Sequence, residues 1–231
     1  MSLSKGEKKS PVPPFSKGDE ESRAQTQSFI SIFRRALDEE SITISTEKQG
    51  LLERHYLLLE KWNSVHNLTT IKNIKDVVYN HYIDCIKGVF CLPNVDEVFD
   101  VGSGAGFPGV VAAILLPKTK FYLVESSRKK CSFLSIVVDD LKIKNIDVVP
   151  SRVEKVEKIK FAISRATFSI PFLKMLTQKI TEEGQIALWT TETSQKKTQE
   201  EMKSLGFATQ ETFEYQWEGI SPRKILLFKK I

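Results

Sequence analysis

The sequence has little of what marks membrane, secreted or metal-bound chains. Its longest uninterrupted apolar run, Val110 to Leu116, is 7 residues, where a membrane-crossing helix needs about 20. The first thirty residues are too polar for a secretory signal. Cys85, Cys91 and Cys131 stand far apart, with no CxxC pair and no histidine at ligand spacing. Reduced thiols are therefore expected, and neither a disulfide framework nor a metal site. These absences predict a cytoplasmic, monomeric chain without a membrane partner. The excess of one charge is also small, 34 Lys+Arg against 29 Asp+Glu, for a net +5 and a pI near 9.0. Spread evenly, that excess would be weak support for a polyanionic partner.

Residues 1–27 hold Pro11, Pro13, Pro14, mixed charge and hardly an apolar residue, which reads as a disordered tail. A helical cap is predicted over 28–92. Phe29, Ile30, Phe33 and Leu37 recur at helical spacing, and Ser45 is placed to cap a second helix carrying Leu51, Leu52, His55, Leu58, Leu59 and Trp62. A third stripe runs Ile74, Val77, Val78, His81, Tyr82, Cys85, Ile86, Val89. From 93 to 231 the pattern changes to strands alternating with helices. Two closing strands, Phe207 to Trp217 and Lys224 to Lys229, leave no room for a helix between them and must be antiparallel. An α/β sheet of seven strands that closes in an antiparallel pair is the Rossmann-like layout of class I methyltransferases, whereas a dinucleotide-binding sheet stays parallel.

The most informative segment is Phe99-Asp100-Val101-Gly102-Ser103-Gly104-Ala105-Gly106-Phe107-Pro108-Gly109, a strand entering a glycine-dense turn that opens a helix. Glycines on alternate positions allow a sharp bend and the close approach of a ligand. Gly104-x-Gly106-x-x-Gly109 also satisfies the dinucleotide fingerprint, and Glu125 follows Gly104 by 21 residues, near the ~20 expected of a ribose-binding acid. Asp100, directly before the turn, favours a sulfonium cofactor over a pyrophosphate. Glu125 can accept both hydroxyls of an adenosine ribose. Phe107, inside the loop, is expected to shape the cofactor pocket.

The positive charge is local. Residues 117–160 contain 11 Lys/Arg and 6 acids, an excess equal to that of the whole chain. Arg128, Lys129 and Lys130 open a helix, where basic side chains oppose the macrodipole, and a phosphate backbone would give them a purpose. Lys155 to Lys160 read equally well as a solvated face. We expect RNA contacts from Lys129, Lys130, Arg152 and Arg223. His81, alone on an apolar stripe, reads as a core residue rather than a catalyst.

Several words in this chain carry a family resemblance: Trp62-Asn63 with Asn67-Leu68-Thr69-Thr70-Ile71, His81-Tyr82-Ile83-Asp84, the loop from Asp100 to Gly109, Lys129-Lys130 before Phe133-Leu134, Ser151-Arg152-Val153-Glu154, and Ser164-Arg165-Ala166. Over residues 42–231 the chain resembles the RsmG (GidB) family, bacterial enzymes that methylate guanine N7 in the 530 loop of 16S ribosomal RNA. The resemblance implies S-adenosyl-L-methionine as cofactor, with contacts at Gly102, Phe107, Val153, Glu154 and Arg165. It also implies 16S rRNA or the small ribosomal subunit as partner. Asp100, Gly104, Gly106 and Glu125 join the cofactor set from the residue reading, and Arg165 is the catalytic candidate. Ser164-Arg165-Ala166-Thr167 stands where other methyltransferases carry an amine clamp or a cysteine nucleophile, which suits N7, a lone pair that needs no deprotonation. A guanidinium there suits either the substrate base or the methionine carboxylate. The chain departs from the family at Trp189, where a lysine is usual, and at Asn80, where a basic residue is usual. An NAD-dependent oxidoreductase and a non-catalytic RNA-binding module are the alternatives.

Overall fold

Alternation of burial along the strands sets the layering of the molecule. The sheet consists of β1 (Glu97–Val101), β2 (Lys120–Glu125), β3 (Ile146–Pro150), β4 (Ile159–Arg165), β5 (Ile180–Thr191), β6 (Phe207–Tyr215) and β7 (Arg223–Lys230). In β5, Ala187 and Trp189 join one hydrophobic cluster while Ile186 and Leu188 join the other. In β7, Ile225 and Leu227 likewise oppose Leu226 and Phe228. Strands apolar on both faces must be covered on both. The computed structural model describes residues 19–66, 73–165, 169–217 and 222–231, with backbone alone for 19–23 and 64–66.

The strand order is β3-β2-β1-β4-β5-β7-β6. β1 to β5 pair in parallel, and β7 runs antiparallel between β5 and β6. The closing pair is therefore as expected, and the wholly parallel sheet required by the oxidoreductase alternative is not formed. α5 (Gly109–Leu115) and α6 (Arg128–Asp140) contribute to the cluster on one face, and α7 (Ile170–Thr177) and α8 (Glu192–Ser204) to the cluster on the other. Pairing Glu125↔Pro150, Arg165↔Trp189 and Thr191↔Arg223 aligns the carboxyl ends of β2 to β5 with the amino end of β7. That edge is where ligands of open α/β sheets bind.

The preceding helices share the face of α5 and α6. α1 (Asp19–Glu39) and α2 (Thr46–His66) are followed by α3 (Ile74–Val77), a π-helical turn at Val78–Ile83, and α4 (Asp84–Phe90). Ser45 Oγ accepts the Lys48 N–H at the start of α2, as its position predicts. Phe29, Phe33, Tyr56 and Tyr82 belong to the same cluster as Phe121, Ile163 and Leu227, so these helices are one wall of a shared core. Bidentate pairing of Arg54 with Asp140, at 2.7 and 2.9 Å, ties α2 to α6.

Three boundaries differ from the sequence reading. α1 begins at Asp19, inside the segment assigned to a disordered tail; Glu20, Glu21, Ala24 and Gln25 are good helix formers, and their polarity alone suggested disorder. Residues 1–18 lie outside the described residues. The sequence pattern predicts a helix from Ser169 to Ile180 and a strand from Gln185 to Thr190, whereas α7 ends at Thr177 and β5 starts at Ile180. The third cap helix is interrupted by its π turn. The words at 67–71 and 166–167, and the connection at 218–221, also lie outside the described residues.

Phe29 tests how firmly α1 belongs to the fold. It is fully buried, stacked on Tyr56 at 3.8 Å and edge-on to Tyr82 at 5.2 Å. Phe29→Ala should lower the free energy of urea unfolding by about 3 to 5 kcal/mol. A loss below ~1 kcal/mol would mean that α1 packs only loosely.

Candidate active site

The glycine turn begins where β1 ends, and its glycines do different things. Gly102, Gly104 and Gly106 all have positive φ, +82°, +59° and +91°, a region costly for side chains. A Cβ on Gly102 would meet nothing within 4 Å, and one on Gly104 only the Gly102 carbonyl at 3.7 Å, so this arc faces open space. A Cβ on Gly106 would strike Val110 at 2.6 Å, and one on Gly109 the Asp100 carboxylate and Leu123, both at 2.4 Å. The first two glycines leave room for a ligand; the last two let the loop and α5 close onto the sheet.

Carboxylates hold the turn from both sides. Glu125, at the end of β2, accepts the Gly104 N–H at 3.0 Å through one oxygen and the Ser127 N–H at 2.8 Å through the other. Its first role is therefore to anchor the loop, which sequence reasoning missed, although each oxygen retains a second lone pair. Asp100 lies fully buried beneath the turn, its Oδ2 accepting the Gly109 N–H at 3.0 Å and its Oδ1 without a partner. Burial pushes its pKa up to about 7. From the cap, His55 Nε2–H donates to the Ala105 carbonyl at 3.1 Å, leaving Nδ1 to accept the Tyr82 hydroxyl at 3.0 Å. On the sequence His55 was one member of an apolar stripe; here it braces the loop.

Arg165, the last residue of β4, is where cap and sheet meet. Its Nη1 donates to the Asn80 carbonyl at 2.7 Å and to Asp84 Oδ2 at 3.1 Å, and its Nη2 to His81 Nδ1 at 2.7 Å. The guanidinium also lies over the Phe107 ring, 5.5 Å from its centre. The π turn makes this possible. In an α-helix the Asp84 N–H would bond to the Asn80 carbonyl; here it bonds to those of Tyr79 and His81, and Asn80 presents its carbonyl to Arg165. Tyr215, from β6, donates to Asp84 Oδ1 at 2.9 Å. A guanidinium has only donors, so His81 Nδ1 must accept and its proton sits on Nε2. His81 is thus both a core residue and a direct partner of Arg165, and Phe107 is packed inward as their floor, stacked on His81 at 4.7 Å.

The remaining candidates divide between the two ends of the edge. Arg128, Lys129 and Lys130 open α6 after β2, and Arg152 is exposed after β3. Val153 is buried and Glu154 exposed in the short 3₁₀ turn that follows. Arg223 stands on the far side with Arg165, its Nη2 donating to Asn80 Oδ1 at 2.9 Å. Trp189 is buried against Gly88, where a Cβ would overlap the indole; at the family's lysine position this chain has a packing residue. Among the described residues no group of three or more His, Cys, Asp or Glu could hold a metal ion, and no helix is long and apolar enough to cross a membrane.

These buried groups set the acid side of the stability profile. Burial lowers the pKa of His55 to about 4, and burial with the Arg165 charge lowers that of His81 to about 3. Both are neutral in the fold and take up protons on unfolding below pH 6.5, so stability falls as pH falls through that range. Asp100 acts oppositely, holding a proton in the fold between about 4 and 7, and Glu60, also raised by burial, acts with it. The two histidines outweigh Asp100. Stability should decline by about 1 kcal/mol per pH unit between 6 and 4.5, and Asp100→Asn should steepen that slope. Denaturant unfolding across the range checks it; a flat profile in both proteins would contradict neutral buried histidines.

The model of the family described as rRNA small subunit methyltransferase G (GidB) matches residues 48–224. A protein named ribosomal RNA small subunit methyltransferase G from Oenococcus oeni is 30% identical over 213 residues, 86% of this chain and 88% of that one. Proteins of the same name from Dichelobacter nodosus and Nitrosomonas europaea are 42% and 39% identical over 59% and 57% of this chain; those matches span 67% and 62% of the relatives' own length. Among solved structures, a ribosomal protein L11 methylase from Lactobacillus delbrueckii subsp. bulgaricus superposes with a TM-score of 0.53 at 12% identity, covering 69% of this chain and 80% of that one. TYW2 from M. jannaschii, in complex with AdoMet, gives 0.50 at 14%, covering 64% and 75%. These structures support the Rossmann-like methyltransferase fold alone. The extent of the sequence match settles the family: the chain belongs to the small-subunit rRNA methyltransferase G (RsmG/GidB) family.

Proposed function

We propose that this chain transfers the methyl group of S-adenosyl-L-methionine to N7 of a guanosine in the 530 loop of 16S rRNA. The observation that carries the choice of atom is that the side-chain acceptors bonded to Arg165 are already engaged. His81 Nδ1 is taken by the guanidinium, and Asp84 by Arg165 and Tyr215. A nucleophile attacking there must need no deprotonation, and guanine N7 carries no proton.

The residues fit the cofactor. The open arc at Gly102 and Gly104 is a cradle that any Cβ would fill, and the partnerless Asp100 Oδ1 is a buried acceptor suited to a ligand that brings a cation or donors. Gly102, Gly104 and Gly106 shape the turn, Glu125 offers its remaining lone pairs to ribose hydroxyls, and Val153 and Glu154 form the wall after β3. Asp100 supports the turn from below and Phe107 supports Arg165. The bound cofactor supplies an electrophilic methyl group. The chain's own task is positioning: Arg165 orients the guanine through O6 or by stacking, while Lys129, Lys130 and Arg152 hold the RNA backbone. That work suits the cytoplasm, where small-subunit rRNA is found.

Treatment of small-subunit rRNA with the enzyme and cofactor should make one guanosine in the 530 loop sensitive to borohydride and aniline scission, the mark of a cationic 7-methylguanine. Arg165→Ala should cut the yield severely at saturating cofactor. Full recovery with excess cofactor would instead assign Arg165 to donor binding, and label arriving on adenine or cytosine would overturn the choice of N7.

A further inference from the structure

One cavity, of about 370 Å³, opens on the ligand edge of the sheet beside Arg165, away from the glycine turn. Its walls are the carboxyl end of β5, the first turns of α8 and the amino end of β7, with Arg165, Arg223 and Lys197 as its cations and Asp84 and Glu201 as its carboxylates. Buried polar groups are nearly always satisfied, yet among the described residues five buried side-chain polar atoms have no partner. Two of them, Arg165 Nε and Arg223 Nε, are donors on guanidinium groups that line this cavity, whereas Trp189 Nε1 is packed against Gly88. Lys197 adds a cation at the rim, its side chain 75% exposed and paired loosely with Glu201 at 3.8 Å. The other carboxylate of the lining, Asp84, is bonded by Arg165 through one oxygen and by Tyr215 through the other. What remains is a surplus of donors and positive charge around a space large enough for a small anion.

We infer that this cavity is a phosphate subsite, which holds a backbone phosphate of the substrate RNA next to the nucleotide whose base lies at Arg165. The inference rests on the proposed function and extends it to the opposite side of the site from Lys129 and Lys130. Because Arg165 serves both the cavity and the position of the base, the phosphate held here must belong to a close neighbour in the RNA strand. Arg223 and the Ser194 and Thr191 hydroxyls would face its oxygens, and Lys197 would neutralise it at the rim.

Lys197 is exposed enough to replace without risk to the fold, and the adjacent Lys196, also exposed and outside the lining, is its control. For full-length protein and small-subunit rRNA, Lys197→Gln should reduce the slope of log affinity against log salt by about 0.7 to 0.9. Lys196→Gln should leave it unchanged, and S-adenosyl-L-methionine affinity should be the same in both. A single neutral methylphosphonate next to the methylated guanosine should weaken binding to the wild type and cost clearly less in Lys197→Gln, where one of its charged partners is already gone. Equal slopes for the two lysine variants, additive losses from linkage and variant, or a fall in cofactor affinity would overturn the subsite. Absence of methylation by the wild type would refute the proposed function instead.

Discussion

Everything at the site depends on one buried cation. Arg165 ends a central parallel strand, yet its hydrogen bonds go to the cap: the Asn80 carbonyl, His81 and Asp84. A buried guanidinium is tolerable only when it is paired and hydrogen-bonded, and losing one partner of a buried pair commonly costs about 3 to 5 kcal/mol. The cap is therefore a structural requirement of the sheet's ligand edge. Its π turn, the histidine held neutral beside the cation, the phenylalanine beneath it and the tyrosine reaching Asp84 from β6 all serve the same charge.

The edge then divides into two sides. Toward β1 to β3 the glycine turn is held from above by Glu125, from below by Asp100 and from the cap by His55, leaving an open arc at Gly102 and Gly104. Toward β5 and β7 lies a donor-rich cavity with Arg223 and Lys197. Arg165 stands between them. A methyl donor on one side and a polyanion on the other would meet at that residue, which suits a reaction whose catalytic demand is alignment rather than proton transfer.

The order of strands and helices was legible because each strand is an apolar run bounded by turn residues, and the antiparallel closure followed from the lack of chain length for a helix. The glycine turn and Glu125 were legible from spacing. What was not legible depends on long-range pairing. No local pattern says that Glu125 spends its first lone pairs on Gly104 and Ser127, that His55 reaches Ala105 50 residues away, or that Tyr215 meets Asp84 across 131 residues. The π turn was hidden because its apolar stripe keeps helical spacing closely. His81 misled in an instructive way: its burial was read correctly, and its partnership with Arg165, 84 positions on, needed the fold. The start of α1 was missed because a polar helix end looks like a tail.

The role proposed for Arg165 requires that Asp84 hold its guanidinium in line with the substrate. Single-turnover methyl transfer at saturating cofactor and rRNA, measured for Asp84→Asn and for the milder Tyr215→Phe alongside cofactor affinity and unfolding, tests it. Both folded variants should transfer methyl more slowly, Asp84→Asn by about tenfold or more, with cofactor affinity little changed. Wild-type rates in a folded Asp84→Asn protein would contradict it.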